Sequence, residues 1–289
     1  MPRFDILALA ATLPFLGACD LITDTEYVQV NGDPIEEKPP LSEIAASSLY
    51  DPVLHGSVSF EEMLATGVPG FVGNPDGSIS EVWVRVDAGV LYVSRDGGPE
   101  VAYSNSNYIT SNPISFYGDW AGENGNLYYS VSAGRPGSFS DYSSDRSVGY
   151  LGMETDPSAL PTGSAIYSGN FNASNEGSYL YGNLGLDVDF ASGEIGGTAT
   201  GTYYFTFEET PVSGAFLGDI AGSVTGSRVG GTMFADGADM SGEFDFMGGI
   251  YGESGQYING GVGGTLTTTA GETSVGGVFS ASSGDGFDD

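Results

Sequence analysis

One cysteine, Cys19, one histidine, His55, and one lysine, Lys38, are all that this 289-residue chain holds of three chemically versatile side chains. A single cysteine excludes an intrachain disulfide and a zinc–cysteine site. A single histidine cannot build a histidine-based triad, a zinc site or bis-histidine haem ligation. His55, just before Gly56, reads as an exposed loop residue. Seven Lys and Arg stand against 38 Asp and Glu, for a net charge of −31. Nucleic acid is excluded as a partner, because phosphate binding needs clustered cations. Anionic lipid headgroups would also repel this surface. The acidity itself has two readings: solubility, as in a saline habitat, or attraction of a basic partner or cations.

Catalytic and cofactor signatures are missing too. No Gly-rich segment carries the Lys-Ser/Thr of a phosphate loop. No Gly-x-Ser-x-Gly elbow is followed by a histidine. The Asp-rich turns at 235–239 and 284–289 lack the ordered ligand spacing of a calcium loop. With so many carboxylates, no particular pair points to glycosidase chemistry. The chain is expected to be non-enzymatic, with no cofactor and no resident metal.

What is present begins with an export signal. Arg3 supplies a short positive region, and Ile6 to Leu16 form an apolar run too short to span a bilayer as a helix. Leu16-Gly17-Ala18-Cys19 then matches a bacterial lipobox, with cleavage between Ala18 and Cys19 and acylation of Cys19. Multiple acyl chains would hold the protein to a membrane stably. Asp20 acts as an inner-membrane retention signal in some bacteria and not in others. Residues 19–48 are polar, acidic and Pro-bearing, the composition of an extended, unburied tether.

Helix signals are few. Ser59 to Gly67 is the best candidate, with Ser59 as N-cap, Glu62 as capping-box partner and Gly67 as stop; Leu41 to Leu49 is weaker. The remainder alternates with period two and is cut by Gly, Asn, Asp and Ser turns, the pattern of an all-β protein. The 47 glycines show no Gly-x-y repeat, which excludes collagen and points to tightly curved sheet. Val82 to Asp87, Gly89 to Ser94 and Asn126 to Val131 read as strands of a smaller, mainly β domain over 49–158, the first two as a hairpin. Residues 159–283 divide into eight strands: 165–173, 179–190, 195–207, 215–227, 229–234, 240–250, 262–268 and 274–281. Eight antiparallel strands close into a barrel small enough for side chains to fill. Leu180, Leu184, Leu186, Val188 and Phe190 share one face, against Tyr181, Asn183, Asp187 and Asp189; Phe244 and Phe246 oppose Glu243 and Asp245. Short loops, no aromatic girdles and the acidic tail 284–289 favour a barrel in water over one in a membrane.

The stretch Tyr150 to Gly169 resembles the opening of the β-barrel in transferrin-binding-protein-like surface lipoproteins of Gram-negative bacteria. The correspondence runs through a strand at Tyr150 to Thr155, a turn at Pro161 to Gly163, and Tyr167 with Gly169. Leu184 to Gly197, Gly242 to Gly252 with Gly260 to Leu266, and Thr273 to Ala281 resemble later strands of the same barrel, in the same order. The resemblance covers 145–282 and thins over 50–145, where that family has a variable handle-like domain. It implies an eight-stranded barrel, outer-membrane anchoring through Cys19, and capture of a macromolecule or an iron or metal carrier at the cell surface. Partners would then be the membrane, through acyl groups on Cys19, and an extracellular protein or iron/haem carrier. It carries over no ligand-contact residue.

Tyr167, Phe190, Phe244, Phe246 and Phe279 are expected in the barrel core. Gly248, Gly249, Gly252, Gly276 and Gly277 are expected where strands bend or backbones meet. Tyr108, Tyr117 and Trp120 are the candidate ligand-binding residues, because Tyr and Trp are favoured interface anchors. A structural envelope lipoprotein with no small ligand is the alternative role.

Overall fold

A computed structural model describes residues 67–87, 90–109, 114–120, 126–131, 137–141, 147–175, 177–207 and 210–284. The leader, Cys19, the tether and the segment 41–49 lie outside the described residues, as does the helix expected over 59–67 apart from Gly67. Strands dominate, with a single 3-10 turn at Pro157–Ala159. The first eight are β1 (Val68–Gly73), β2 (Ile79–Asp87), β3 (Val90–Arg95), β4 (Val101–Ile109), β5 (Ile114–Trp120), β6 (Asn126–Val131), β7 (Gly137–Asp141) and β8 (Ser147–Leu151). They follow one another around a closed antiparallel barrel, β1 pairing with β8 from Gly70 opposite Leu151 to Gly73 opposite Val148. The expected hairpin is β2–β3, paired from Val82 opposite Arg95 to Asp87 opposite Val90; Asp96 and Gly97, both at positive φ, turn β3 towards β4.

The second barrel comprises β9 (Ser164–Asn175), β10 (Ser178–Asp189), β11 (Glu194–Phe207), β12 (Thr210–Thr225), β13 (Arg228–Gly237), β14 (Met240–Tyr251), β15 (Tyr257–Thr268) and β16 (Gly271–Ser283). It closes through β16 and β9, with Phe279 opposite Phe171. All eight strands read from the sequence are present. β12 and β15 each start five residues earlier than read, at Thr210 rather than 215 and at Tyr257 rather than 262; the Gly-rich first half of β15 carries no alternation to read.

Alternation assigns the faces. Leu180, Leu184, Leu186 and Val188 are buried while Tyr181, Asn183 and Asp187 are exposed. Phe244 and Phe246 point inward and Glu243 and Asp245 outward. Tyr167 and Phe279 are buried as expected; Phe190, just past the end of β10, only packs partly against the core. The interior is apolar and the carboxylates face out, the inverse of a small membrane barrel with a polar lumen. No helix among the described residues is long and apolar enough to cross a membrane.

The lumen is filled by rings that sit over glycines. Gly222 and Gly231 lie opposite each other on β12 and β13, and a Cβ on either would come within 2.9 and 2.8 Å of the Phe246 ring. Gly248 leaves the same room for Phe279, and Gly201 for Phe216. The rings then meet edge to face, Phe246 with Phe279 at 5.6 Å and Phe171 with Phe216 at 5.9 Å. The space left between them is about 20 Å³ and wholly apolar, so it stays dry and holds no ligand.

Glycines also set the two barrels against each other. A Cβ on Gly261 would come 2.7 Å from the Val72 backbone, and one on Gly263 would come 2.5 Å from the Gly77 carbonyl. Gly276 likewise lies against the backbone of Asn74. Beside this seam, Arg228 reaches Glu81 of β2 at 2.8 Å and Glu154 at 3.3 Å, with its guanidinium 5.5 Å from the Phe71 ring. The connector after β8 is strapped to the second barrel: Thr155 donates to the Ile250 carbonyl at 2.7 Å, and Ser227 donates to the Thr155 carbonyl.

Two outcomes follow for thermal denaturation. Gly231→Ala forces Phe246 aside and costs about 1–3 kcal/mol. Tyr167 is fully buried and donates its hydroxyl to the Gly255 carbonyl at 2.6 Å, so Tyr167→Phe costs about 1 kcal/mol near neutral pH. Burial pushes the Tyr167 hydroxyl up to about 12. Its folded-state value lies above the unfolded one, so its contribution is full below about pH 10 and lost as pH rises through about 12. The gap between wild type and Tyr167→Phe therefore narrows in alkali.

Candidate functional site

The filled lumen of the second barrel leaves its outer face as the surface on which that barrel can bind. On β10 the outward positions are Tyr179, Tyr181, Asn183 and Gly185, flanked on β9 by Ser168, Asn170 and Asn172 and on β11 by Thr198, Thr200, Thr202 and Tyr204. None of these is charged. Acidic residues bound the strip: Asp187 and Asp189 follow on β10, and Asp219, Asp236, Glu243 and Asp245 occupy the outer face of β12 to β14. On a chain of net charge −31, this face contrasts with the neighbouring outer face of β12 to β14, which carries those four carboxylates.

The face has two parts. At one end three tyrosines gather because the hairpin register brings Tyr179 directly opposite Tyr204. Their rings stack at 5.3 Å and 15°, and Tyr181 leans against Tyr179 at 5.8 Å. Tyr179 and Tyr181 remain 41% and 51% exposed. Towards the middle of the strands lies an open groove of about 440 Å³ lined by Ser168, Asn170, Asn183, Thr198 and Thr200, with Gly185 as its floor. A Cβ placed on Gly185 would meet nothing within 4 Å, so the missing side chain is what opens the groove. The lining offers hydroxyl and amide groups, each able to donate and accept hydrogen bonds.

Other clusters are structural. Leu217 and Phe234 are exposed near each other on β12 and β13, but Asp219 and Asp236 separate them into single apolar spots. In the first barrel, Arg85 pairs with Glu100 through two bonds of 2.7 Å, and its guanidinium lies 4.1 Å from the Tyr92 ring centre. The Glu100 hydrogen bonds hold the Arg85 guanidinium even more firmly protonated. Tyr251 is buried beside Glu154 and Arg228, and burial pushes its hydroxyl well above the ordinary range. Among the described residues, no three of His, Cys, Asp and Glu come together as a metal-ligand group.

Of the residues singled out in the sequence, Ala18 and Cys19 lie outside the described residues. Tyr108 falls in β4 opposite Phe116, Tyr117 in β5 between Asn107 and Tyr128, and Trp120 at the end of β5 opposite Tyr103. The pairing sets none of the three directly across from another. Sequence reading placed Tyr181 and Asn183 on the outer face and missed the tyrosine group. The signal was Tyr179-Leu180-Tyr181, which alternation turns outward on both sides of a core leucine.

No family model matches the chain, and no curated protein is similar to it. Among solved structures, the chain is similar to a tryptophan-to-alanine mutant of transferrin binding protein B from Haemophilus parasuis Hp5. The identity is 21% and the TM-score 0.38, over 73% of this chain and 44% of that one, so this chain spans less than half of that protein's length.

The face is expected to matter little for stability. Tyr179→Ala, which removes a cross-strand stack, costs about 1 kcal/mol. Tyr181→Ala, at an exposed position, and Gly185→Gln, where an added Cβ meets nothing within 4 Å, shift stability by less than about 0.5 kcal/mol in urea unfolding.

Proposed function

We propose that this protein is a non-catalytic binding protein, held at the outer membrane by acyl groups on Cys19, that captures an extracellular ligand for nutrient uptake. The observation that carries the reading is the uncharged, tyrosine-bearing face of β9 to β11, bounded by carboxylates, on a strongly acidic chain. Exposed aromatics set among polar groups able to donate and accept hydrogen bonds are the anchors by which binding surfaces gain energy. The sequence resemblance of residues 145–282 to transferrin-binding-protein-like lipoproteins supports a surface position and a role in capture. The ligand is a macromolecule or a carrier of iron or another metal, met by a rigid barrel rather than enclosed in it. Two closed sheets with no free edges suit that task, since a rigid scaffold positions a recognition surface without ordering cost on binding.

Protease treatment of intact cells, beside cells with a permeabilised outer membrane, tests the reading. Digestion on intact cells is expected. Cys19→Ser is expected to abolish labelling by radioactive palmitate and to release the protein to the soluble fraction. Protection until permeabilisation would sink surface capture and favour a structural role inside the envelope.

A further inference from the structure

The ligand class can be argued from the chemistry of the same face, and the inference rests on the reading that this face binds. We propose that the outer surface of β9 to β11 is a binding site for a neutral saccharide chain. Three features select it together. Tyr179 and Tyr181 are exposed at one end of the strip, braced by the half-buried Tyr204, which stacks on Tyr179 and leaves the outer ring surfaces open. An aromatic face is electron-rich, and the axial C–H groups of a sugar ring present a weakly positive, apolar plane that lies flat against it. Beyond the platform, the Gly185 groove is lined by hydroxyls and amides from Ser168, Asn170, Asn183 and Thr200. These groups match sugar hydroxyls, which likewise donate and accept.

The third feature is charge. The strip itself is neutral, and Asp187 and Asp219 stand beside it. Their field reaches across the groove at physiological salt, where screening acts over about 8 Å. An anionic polymer is repelled there, and so is a second copy of this acidic chain. A basic protein would gain most by docking where carboxylates gather, on the outer face of β12 to β14 with Asp219, Asp236, Glu243 and Asp245, and not on a strip without carboxylates. A neutral saccharide is indifferent to the surrounding acids and finds its partners in the strip. Tyr179 and Gly185 lie six residues apart on one strand, about 20 Å, which suits a chain of a few sugar rings better than a single ring.

Native gel electrophoresis of the protein corresponding to residues 20–289 through gels containing dextran, a soluble β-1,3-glucan or a galactomannan tests the site, with alginate as the anionic control. The wild type is expected to be retarded by at least one neutral polymer and not by alginate. Tyr181→Ala and Gly185→Gln are each expected to weaken that retardation about tenfold. Both variants should unfold at wild-type urea concentration, which separates loss of binding from loss of fold. Retardation that both variants retain would place the saccharide elsewhere and overturn the proposal. So would retardation by alginate alone, or by none of the three neutral polymers. In that last case digestion on intact cells would leave surface capture standing with another ligand, whereas protection from protease would remove that reading as well.

Discussion

Side chains of opposite extremes share the interior of the second barrel, and their pairing is the constraint on which the rest depends. Phenylalanine rings occupy space that glycines on facing strands leave open. Gly222 and Gly231 make the seat for Phe246, and Gly248 makes the seat for Phe279. A barrel of eight strands has little room across its lumen, and large residues at every inward position would not fit. Alternating rings with hydrogen atoms fills it to an apolar remnant of about 20 Å³. Filling the lumen closes off the interior as a ligand cup. Recognition is left to the exterior, where the same alternation displays the opposite set of residues.

Glycine does a second job at the seam. The outer faces of β15 and β16 meet the first barrel through Gly261, Gly263 and Gly276, so backbone approaches backbone without side chains between. Such contacts bury little apolar area, and the grip comes as well from Arg228, which reaches Glu81 and Glu154 across the seam. The strapped connector at Thr155 and Ser227 adds local bonds to the same region. Phe71 is buried on the face of β1 turned towards Arg228, which explains why all of Val68–Gly73 is buried although it is one short strand.

Much of this was legible in the sequence. The eight strands of the second barrel run 10 to 16 residues and most alternate along their length, so their existence, order and inward faces could be read directly, apart from the Gly-rich start of β15. The first barrel was harder: β7 and β8 have five residues each, and β4 is rich in Ser and Asn, so only β2, β3 and β6 carried a clear period. Closure between β1 and β8 could not be read because it joins segments nearly eighty residues apart. Glycine hides its own purpose. Nothing in the sequence separates a glycine that seats a ring, such as Gly231, from one that meets another barrel, such as Gly276, or from one that opens a groove, such as Gly185. The tyrosine platform depends on register, since Tyr179 and Tyr204 become neighbours only once β10 and β11 are paired.

The uncharged strip divides the molecule into a part that answers to ionic conditions and a part that does not. Carboxylates elsewhere on the exterior set solubility, self-repulsion and the response to salt. In the proposed saccharide site the strip would make its contacts through ring faces, hydroxyls and amides, whose strength hardly varies with ionic strength. Substitutions that raise or lower the acidity of the outer faces of β12 to β14 can therefore accumulate as the salinity of the surroundings changes, while the recognition surface stays as it is. On the proposed reading, the residues through which the protein adapts are separate from the residues through which it recognises.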